Sequence, residues 1–121
     1  MKPEIELNKA IDILSRLARE GQTLSYQSLA SQLEISKAPV IKTVTTFLEK
    51  LMIEDAKNDR PILAAVIVQK GPCAIPRQGF YQQLQKLGLF NGDPTGEKAK
   101  LWHINELSKL KNYYSKKDIQ Q

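Results

Sequence analysis

The sequence predicts an α+β domain that is mostly helical, and three observations lead to this fold class. Residues 4–20 and 25–51 place apolar side chains at helical spacing, residues 62–68 form one apolar run of strand length, and residues 80–114 return to helical spacing. A chain of 121 residues with 41% hydrophobic side chains fits one core. We expect one domain over residues 1–115 and a frayed tail over residues 116–121.

The first predicted element is an amphipathic helix over residues 4–20. Polar side chains fill its other face, and Gly21 is a typical helix-ending residue. Its expected inner face consists of Leu7, Ala10, Ile11, Leu14, Leu17 and Ala18.

Two helices joined by a short connection come next. Ser25 is a suitable N-cap for the first, because its hydroxyl can accept from the free amides of the first turn. Ser36 is a second N-cap, and Pro39 lies in the first turn of the helix that follows, where its missing N–H costs little. This spacing is typical of a helix-turn-helix. The expected buried stripe of the second helix is Val40, Val44, Phe47, Leu48 and Leu51.

The second half begins with a strand over residues 62–70, which we expect to be buried on both faces. The Gly- and Pro-rich residues 71–79 turn the chain and allow a short return strand, which gives a small β-hairpin. A short helix over residues 80–87 follows, with Phe80, Leu84 and Leu87 inward and Gly88 as its C-cap. Residues 91–96 are a predicted loop. The last segment has a helical face of Leu101, Ile104, Leu107, Leu110 and Tyr114, and an extended piece at Trp102 and His103 is the alternative for its first turns.

In this order the elements predict a winged helix-turn-helix with a small β-hairpin and C-terminal helices.

The distribution of charge along the chain indicates which kind of partner the protein binds. Residues 1–60 carry nine basic and nine acidic side chains, and residues 61–121 carry nine and four, so the net charge of +5 lies in the second half. A basic half is typical of a polyanion-binding protein, and it also serves to keep a small protein in solution.

No apolar run reaches the roughly 20 residues that span a bilayer, so we expect no membrane partner. The N-terminal residues show no signal-peptide pattern, and one cysteine cannot form an internal disulfide. These features predict a cytoplasmic protein.

The residue types needed for catalysis or metal binding are scarce. Cys73 is the only cysteine and His103 the only histidine, and neither has a second ligand type at metal-site spacing. A reactive thiol needs a lowered pKa, and the neighbouring Lys70 and Arg77 are not proton acceptors. Asp55 follows Glu54 near a predicted helix end, where we expect both to be solvated. We therefore predict no enzyme activity, no cofactor and no metal.

Residues 21–79 resemble the C-terminal domain of alkylguanine-DNA alkyltransferases and of alkyltransferase-like proteins. That family enters its helix-turn-helix through Gly-x-x-x-(Ser/Thr)-Tyr-x-x-Leu-Ala, and a Pro-Ile-Leu segment leads to its Pro-Cys-His-Arg active site. The resemblance covers about half of the chain. The matching residues here are Gly21, Ser25, Tyr26, Leu29, Ala30 and Pro61-Ile62-Leu63.

The resemblance implies DNA binding without alkyl transfer. The active-site motif of the family falls on residues 65–68, where Val66 stands at the position of the nucleophile. Lys42 stands where the family has the arginine that enters the base stack, which puts base flipping in doubt. Tyr26 matches the family tyrosine that lies beside the DNA backbone.

A double-stranded DNA partner would be contacted through the second helix of the pair and through the wing. The first turns of that helix reach base edges in the major groove, and lysine and threonine bind phosphates, guanine or thymine methyl groups. Lys70 and Arg77 flank the turn of the predicted wing. The predicted DNA-binding residues are Tyr26, Ser36, Lys37, Lys42, Thr45, Thr46, Lys70 and Arg77.

Two functions follow as hypotheses. The first is a non-catalytic winged-helix DNA-binding protein, regulatory or lesion-sensing. The alternative is a winged-helix protein–protein interaction module of a bacterial or phage system, whose C-terminal lysines bind an acidic partner. The zero net charge of residues 1–60 favours a homodimer, or a module of a larger complex, over a monomer that binds a specific sequence alone.

Overall fold

The computed structural model describes residues 7–35, 39–71 and 75–119. Helices dominate these ranges, and the strands are two residues long. No helix in the described part of the chain is long and apolar enough to cross a membrane. The elements are α1 (Leu7–Glu20), β1 (Leu24–Ser25), α2 (Tyr26–Gln32), α3 (Val40–Lys57), a 3₁₀ helix (Leu63–Val66), β2 (Ile67–Val68), α4 (Gln78–Lys86) and α5 (Glu97–Ile119).

Helix α1 forms where the apolar spacing predicts it, and it ends at Gly21. Gly21 has a φ of 69°, its N–H donates to Ala18 O, and the Gln22 N–H donates to Leu17 O. These two bonds satisfy carbonyls that the helix leaves free, and the left-handed φ costs glycine little. Leu7, predicted to face inward, is 55% exposed. The buried face is Ala10, Ile13, Leu14, Leu17 and Ala18.

The centre of the molecule is the segment Ile62–Val68, in which every residue is buried. The burial agrees with the sequence, but the predicted continuous strand is wrong. Residues 63–66 coil into a 3₁₀ helix, and only Ile67–Val68 are extended. The strand pairs with β1 in parallel, with Leu24 opposite Ile67 and Ser25 opposite Val68.

The predicted antiparallel β-hairpin is therefore corrected: the described residues hold a two-stranded parallel sheet, in the order β1-β2. One backbone bond of 2.9 Å from the Gln69 N–H to Ile75 O closes the loop that follows β2. Residues 72–74, which include Cys73, lie outside the described ranges.

Helices α2 and α3 form the predicted pair and pack against each other. Ser25 is the N-cap of α2, since its Oγ accepts from the Ser28 N–H at 3.1 Å. Pro39 is the N-cap of α3 rather than a residue of its first turn, and the predicted cap Ser36 lies outside the described ranges. The buried stripe of α3 is displaced toward its C-terminus and consists of Val44, Leu48, Met52 and Asp55.

The two C-terminal helices are present as predicted. Helix α4 ends at Lys86, and its C-cap is Leu87 rather than the predicted Gly88. Gly88 follows the cap with a φ of 74°, and the Gly88 and Leu89 amides donate to Gln85 O and Leu84 O. Helix α5 continues to Ile119, so the first residues of the predicted tail are helical. Its predicted inner face is wrong in part, because Leu101 and Ile104 are 58% and 63% exposed. The buried positions of α5 are Ala99, His103, Glu106 and Leu110.

Candidate functional site

A cleft of about 170 Å³ lies between α2, α3 and the start of α4. Helix α3 lines it with Thr45, Leu48, Glu49 and Met52, which follow the i, i+3, i+4, i+7 spacing of one helix face. The other lining residues are Tyr26, Arg77, Gly79 and Phe80. Three segments that are distant in the sequence therefore meet at one concave surface.

The cleft is apolar at its floor and polar at its rim. Leu48, Met52 and Phe80 are 4%, 1% and 8% exposed, whereas Glu49 and Arg77 are exposed at the surface. A floor of this kind excludes water from an apolar group, and side chains of both charges remain at the entrance. This combination of apolar walls and a few polar groups is typical of ligand sites.

Tyr26 and Arg77 are joined by two contacts. The Arg77 backbone N–H donates to the Tyr26 hydroxyl at 3.0 Å, and the Arg77 guanidinium carbon lies 5.7 Å from the centre of the Tyr26 ring. The ring and the cation are therefore in cation–π range. Burial raises the pKa of Tyr26, and the bond from Arg77 opposes part of that rise. Tyr26 is thus a neutral phenol that fixes the chain at the start of α4.

The N-terminal half of α3 presents three more predicted residues. Lys42 and Thr46 are exposed, and Thr45 is half-buried at the cleft. The Thr45 hydroxyl donates to Lys42 O at 3.1 Å, and the Thr43 hydroxyl donates to Pro39 O at 3.0 Å. These bonds hold both threonine hydroxyls against the backbone of the first turns of α3.

Lys70 lies beside the start of α2. Its Nζ donates to Gln27 Oε1 at 3.2 Å, between two exposed side chains. Gln27 follows Tyr26 directly, so the loop after β2 approaches the same end of α2 as Arg77 does. Ser36 and Lys37, predicted to begin the DNA-binding helix, fall outside the described ranges.

The structure thus places three of the eight predicted DNA-binding residues, Tyr26, Thr45 and Arg77, in one cleft. Glu49 belongs to the same cleft and was not predicted. The sequence contained a signal for it, since Glu49 follows Thr45 by four residues and must share its helix face.

A second polar cluster is buried where α3 and α5 enclose the central segment. Asp55 is 5% exposed, so the expectation that it is solvated is wrong. Its carboxylate accepts from the Arg60 Nε at 2.9 Å and from the Leu63 N–H at 3.0 Å. Burial raises the pKa of Asp55, and the bonds from Leu63 and Arg60 oppose this effect.

Helix α5 contributes the other side of this cluster. Glu106 Oε2 accepts from the Ile62 N–H at 2.7 Å, and the His103 Nε2–H donates to Ala65 O at 2.8 Å. Apart from the Arg60 side chain, the partners in this cluster are backbone groups of residues 62–65, so the cluster attaches the central segment to two helices. Within the described ranges, no three His, Cys, Asp or Glu side chains are grouped as metal ligands.

Comparisons of the chain with protein-family models, with curated proteins and with solved structures found no match.

Proposed function

We propose that this chain is a non-catalytic winged-helix protein that binds double-stranded DNA, in a regulatory or lesion-sensing role. In this proposal α2 and α3 are the helix-turn-helix, and the N-terminal half of α3 enters the major groove. The observation that carries the proposal is the convergence of Tyr26, Thr45 and Arg77 on one cleft beside the exposed Lys42 and Thr46.

The loop after β2 takes the part of the wing. Its closing bond joins Gln69 to Ile75, and its exposed Lys70 is held next to the start of α2 by Gln27. Lys70 and Arg77 would then contact phosphates at the edge of the groove that α3 occupies.

The exposed surface of α3 limits how strongly this site can bind. Glu49 and Glu54 are exposed on the same helix as Lys42 and Lys50, so the repulsion of phosphates offsets part of the attraction. We expect weak binding that rests on a few phosphate contacts, with a salt dependence that is measurable but shallow, since its slope grows with the number of contacts.

The test is fluorescence anisotropy with random-sequence duplex DNA at two salt concentrations. Lys42→Ala and Arg77→Ala should each weaken binding and reduce the slope of log K against log salt by about one, since each removes one phosphate contact. Lys57→Ala is the matched control, because Lys57 is exposed at the opposite end of α3. A Lys57 variant as impaired as the Lys42 variant would place the contact elsewhere.

A second candidate, the protein–protein interaction module, is favoured by the surface of α5. Leu101 and Ile104 are exposed there, next to the exposed cations of Lys98 and Lys111. Apolar side chains in a basic surrounding suit an acidic protein partner. Absent or salt-insensitive binding of DNA by the unmodified protein would support this candidate and contradict the first.

A further inference from the structure

We propose that the cleft between α2, α3 and α4 binds a free α-amino acid with an apolar side chain of about the size of leucine or methionine. The side chain would occupy the floor formed by Leu48, Met52 and Phe80. The carboxylate would meet Arg77, and the ammonium group would meet Glu49 at the rim.

The charges at the rim select the class of ligand. Glu49 and Arg77 line the same cleft, yet none of the ion pairs among the described residues joins them or involves either one. A simple anion would be attracted by Arg77 and repelled by Glu49, and a simple cation would face the reverse. A molecule with both charges satisfies both side chains, and an arginine can bind a carboxylate through two parallel hydrogen bonds.

The apolar floor and the volume of the cleft determine how large the side chain of the ligand can be. A cavity of about 150 Å³ lined by apolar side chains holds a benzene molecule, and the cleft here measures about 170 Å³. The side chain of leucine or methionine fits this space while the charged groups stay at the open rim. Met52 suits such a ligand, because a thioether adapts its shape to the group beside it.

The Arg77 side chain is already oriented for this contact. Its backbone N–H is fixed by the Tyr26 hydroxyl, and its guanidinium lies over the Tyr26 ring. Less conformational freedom is then lost when a carboxylate binds, which favours affinity.

Isothermal titration of the full chain with L-leucine tests the proposal. We expect saturable binding with a Kd below about 1 mM. Two analogues serve as probes: 3-methylbutylamine lacks the carboxylate, and 4-methylpentanoate lacks the ammonium group. Each should bind at least about tenfold more weakly than leucine, because each leaves one rim charge without a partner.

Glu49→Gln is the decisive variant, since Glu49 is exposed and its replacement does not disturb the core. It should bind leucine and 4-methylpentanoate with similar affinity. Glu54→Gln, exposed on the same helix but outside the cleft, should keep the preference for leucine. The proposal is overturned if neither leucine nor methionine binds, or if Glu49→Gln discriminates as the unmodified protein does.

Bound amino acid should also raise the apparent Kd for DNA, because its carboxylate occupies Arg77; this coupling rests on the proposed function. The titration without DNA keeps the two proposals apart. Leucine binding without DNA binding would contradict the DNA proposal alone, and DNA binding without leucine binding would contradict the ligand proposal alone.

Discussion

The backbone N–H of Ile62 donates a 2.7 Å hydrogen bond to Oε2 of Glu106, which lies 44 residues later on α5. The bond is buried, and it precedes the 3₁₀ helix Leu63–Val66. Asp55 on α3 receives the next amide, that of Leu63. Two carboxylates from two helices therefore satisfy the first amides of the central segment, which would otherwise be buried without partners.

Replacing Glu106 should reveal how much this bond contributes to stability. Glu106→Ala leaves the Ile62 amide buried without an acceptor, and we expect a loss of about 1–3 kcal/mol in the free energy of unfolding. Glu106→Gln keeps an acceptor oxygen and should cost clearly less. Urea unfolding followed by circular dichroism measures both, with the exposed Asn105→Ala as the control. Equal stability of the Ala and Gln variants would show that the bond is not needed.

Acid should destabilise the protein through His103. Burial lowers the pKa of His103, although its bond to Ala65 O opposes part of this effect. The unfolded chain takes up a proton near pH 6.5 while the folded protein does not. The contribution of His103 is therefore fully present above that pH and is lost as the pH falls through the folded-state pKa.

The comparison with His103→Gln isolates this effect, because glutamine keeps an N–H donor but does not titrate. Asp55 and Glu106, whose pKa values are raised by burial, titrate in both proteins. Their effects therefore largely cancel when the acid-induced loss of stability of the variant is subtracted from that of the unmodified protein. Thermal unfolding at pH 7.5 and at pH 5.5 should show a larger loss for the unmodified protein than for the variant. If the unfolding temperatures of the two proteins fall by the same amount between pH 7.5 and pH 5.5, His103 contributes nothing to the acid sensitivity.

Glu34 is a position where glycine should stabilise the fold. It follows α2 with a φ of 58°, and it is held there by bonds from the Glu34 N–H to Ser31 O and from the Ile35 N–H to Ala30 O. A side chain in this left-handed region costs about 1 kcal/mol or more, a cost that glycine does not carry.

Glu34→Ala is the matched control for that change, because both variants lose the exposed ion pair with Lys9. That pair contributes little, since the Glu34 side chain is 83% exposed and the two charged atoms lie 3.4 Å apart at the surface. Glu34→Gly should exceed Glu34→Ala in free energy of unfolding by about 1 kcal/mol. A glycine variant no more stable than the alanine variant would contradict the cost assigned to this backbone conformation.

The helices were predictable because their apolar spacing is local, but the inner face of α5 was not. Leu101 and Ile104 suggested an apolar inner face, whereas the buried positions include His103 and Glu106. These polar residues are tolerated inside because Ala65 O and the Ile62 N–H, both distant in the sequence, bind them. Nothing in the sequence of α5 alone indicates that such partners exist.

The conformation of the central segment was likewise not predictable from its local sequence. Its apolar run correctly indicated burial, but burial alone does not distinguish a strand from a 3₁₀ helix. The extended part is confined to the two residues that pair with β1. Glu106 and Asp55 bind the amides of Ile62 and Leu63, where the 3₁₀ helix begins.

For the cleft, the sequence indicated Tyr26, Thr45 and Arg77 separately, and only the packing of α4 against α3 shows that they meet.

The hydroxyl of Tyr26 should matter for the position of Arg77 as well as for stability. Tyr26→Phe removes the acceptor of the Arg77 N–H but keeps the ring beneath the guanidinium. We expect a loss of about 1 kcal/mol in the free energy of unfolding and faster hydrogen exchange of the Arg77 amide.

Tyr81→Phe is the matched control, because it removes the buried bond from the Tyr81 hydroxyl to Ala99 O at 2.9 Å, and neither of these residues lines the cleft. Both variants should lose stability to a similar degree, since each loses one hydroxyl hydrogen bond. Only Tyr26→Phe should weaken the binding of DNA and of leucine, because only that change lets the start of α4 and its Arg77 side chain shift. If both variants weaken binding equally, the effect reflects stability and not the position of Arg77.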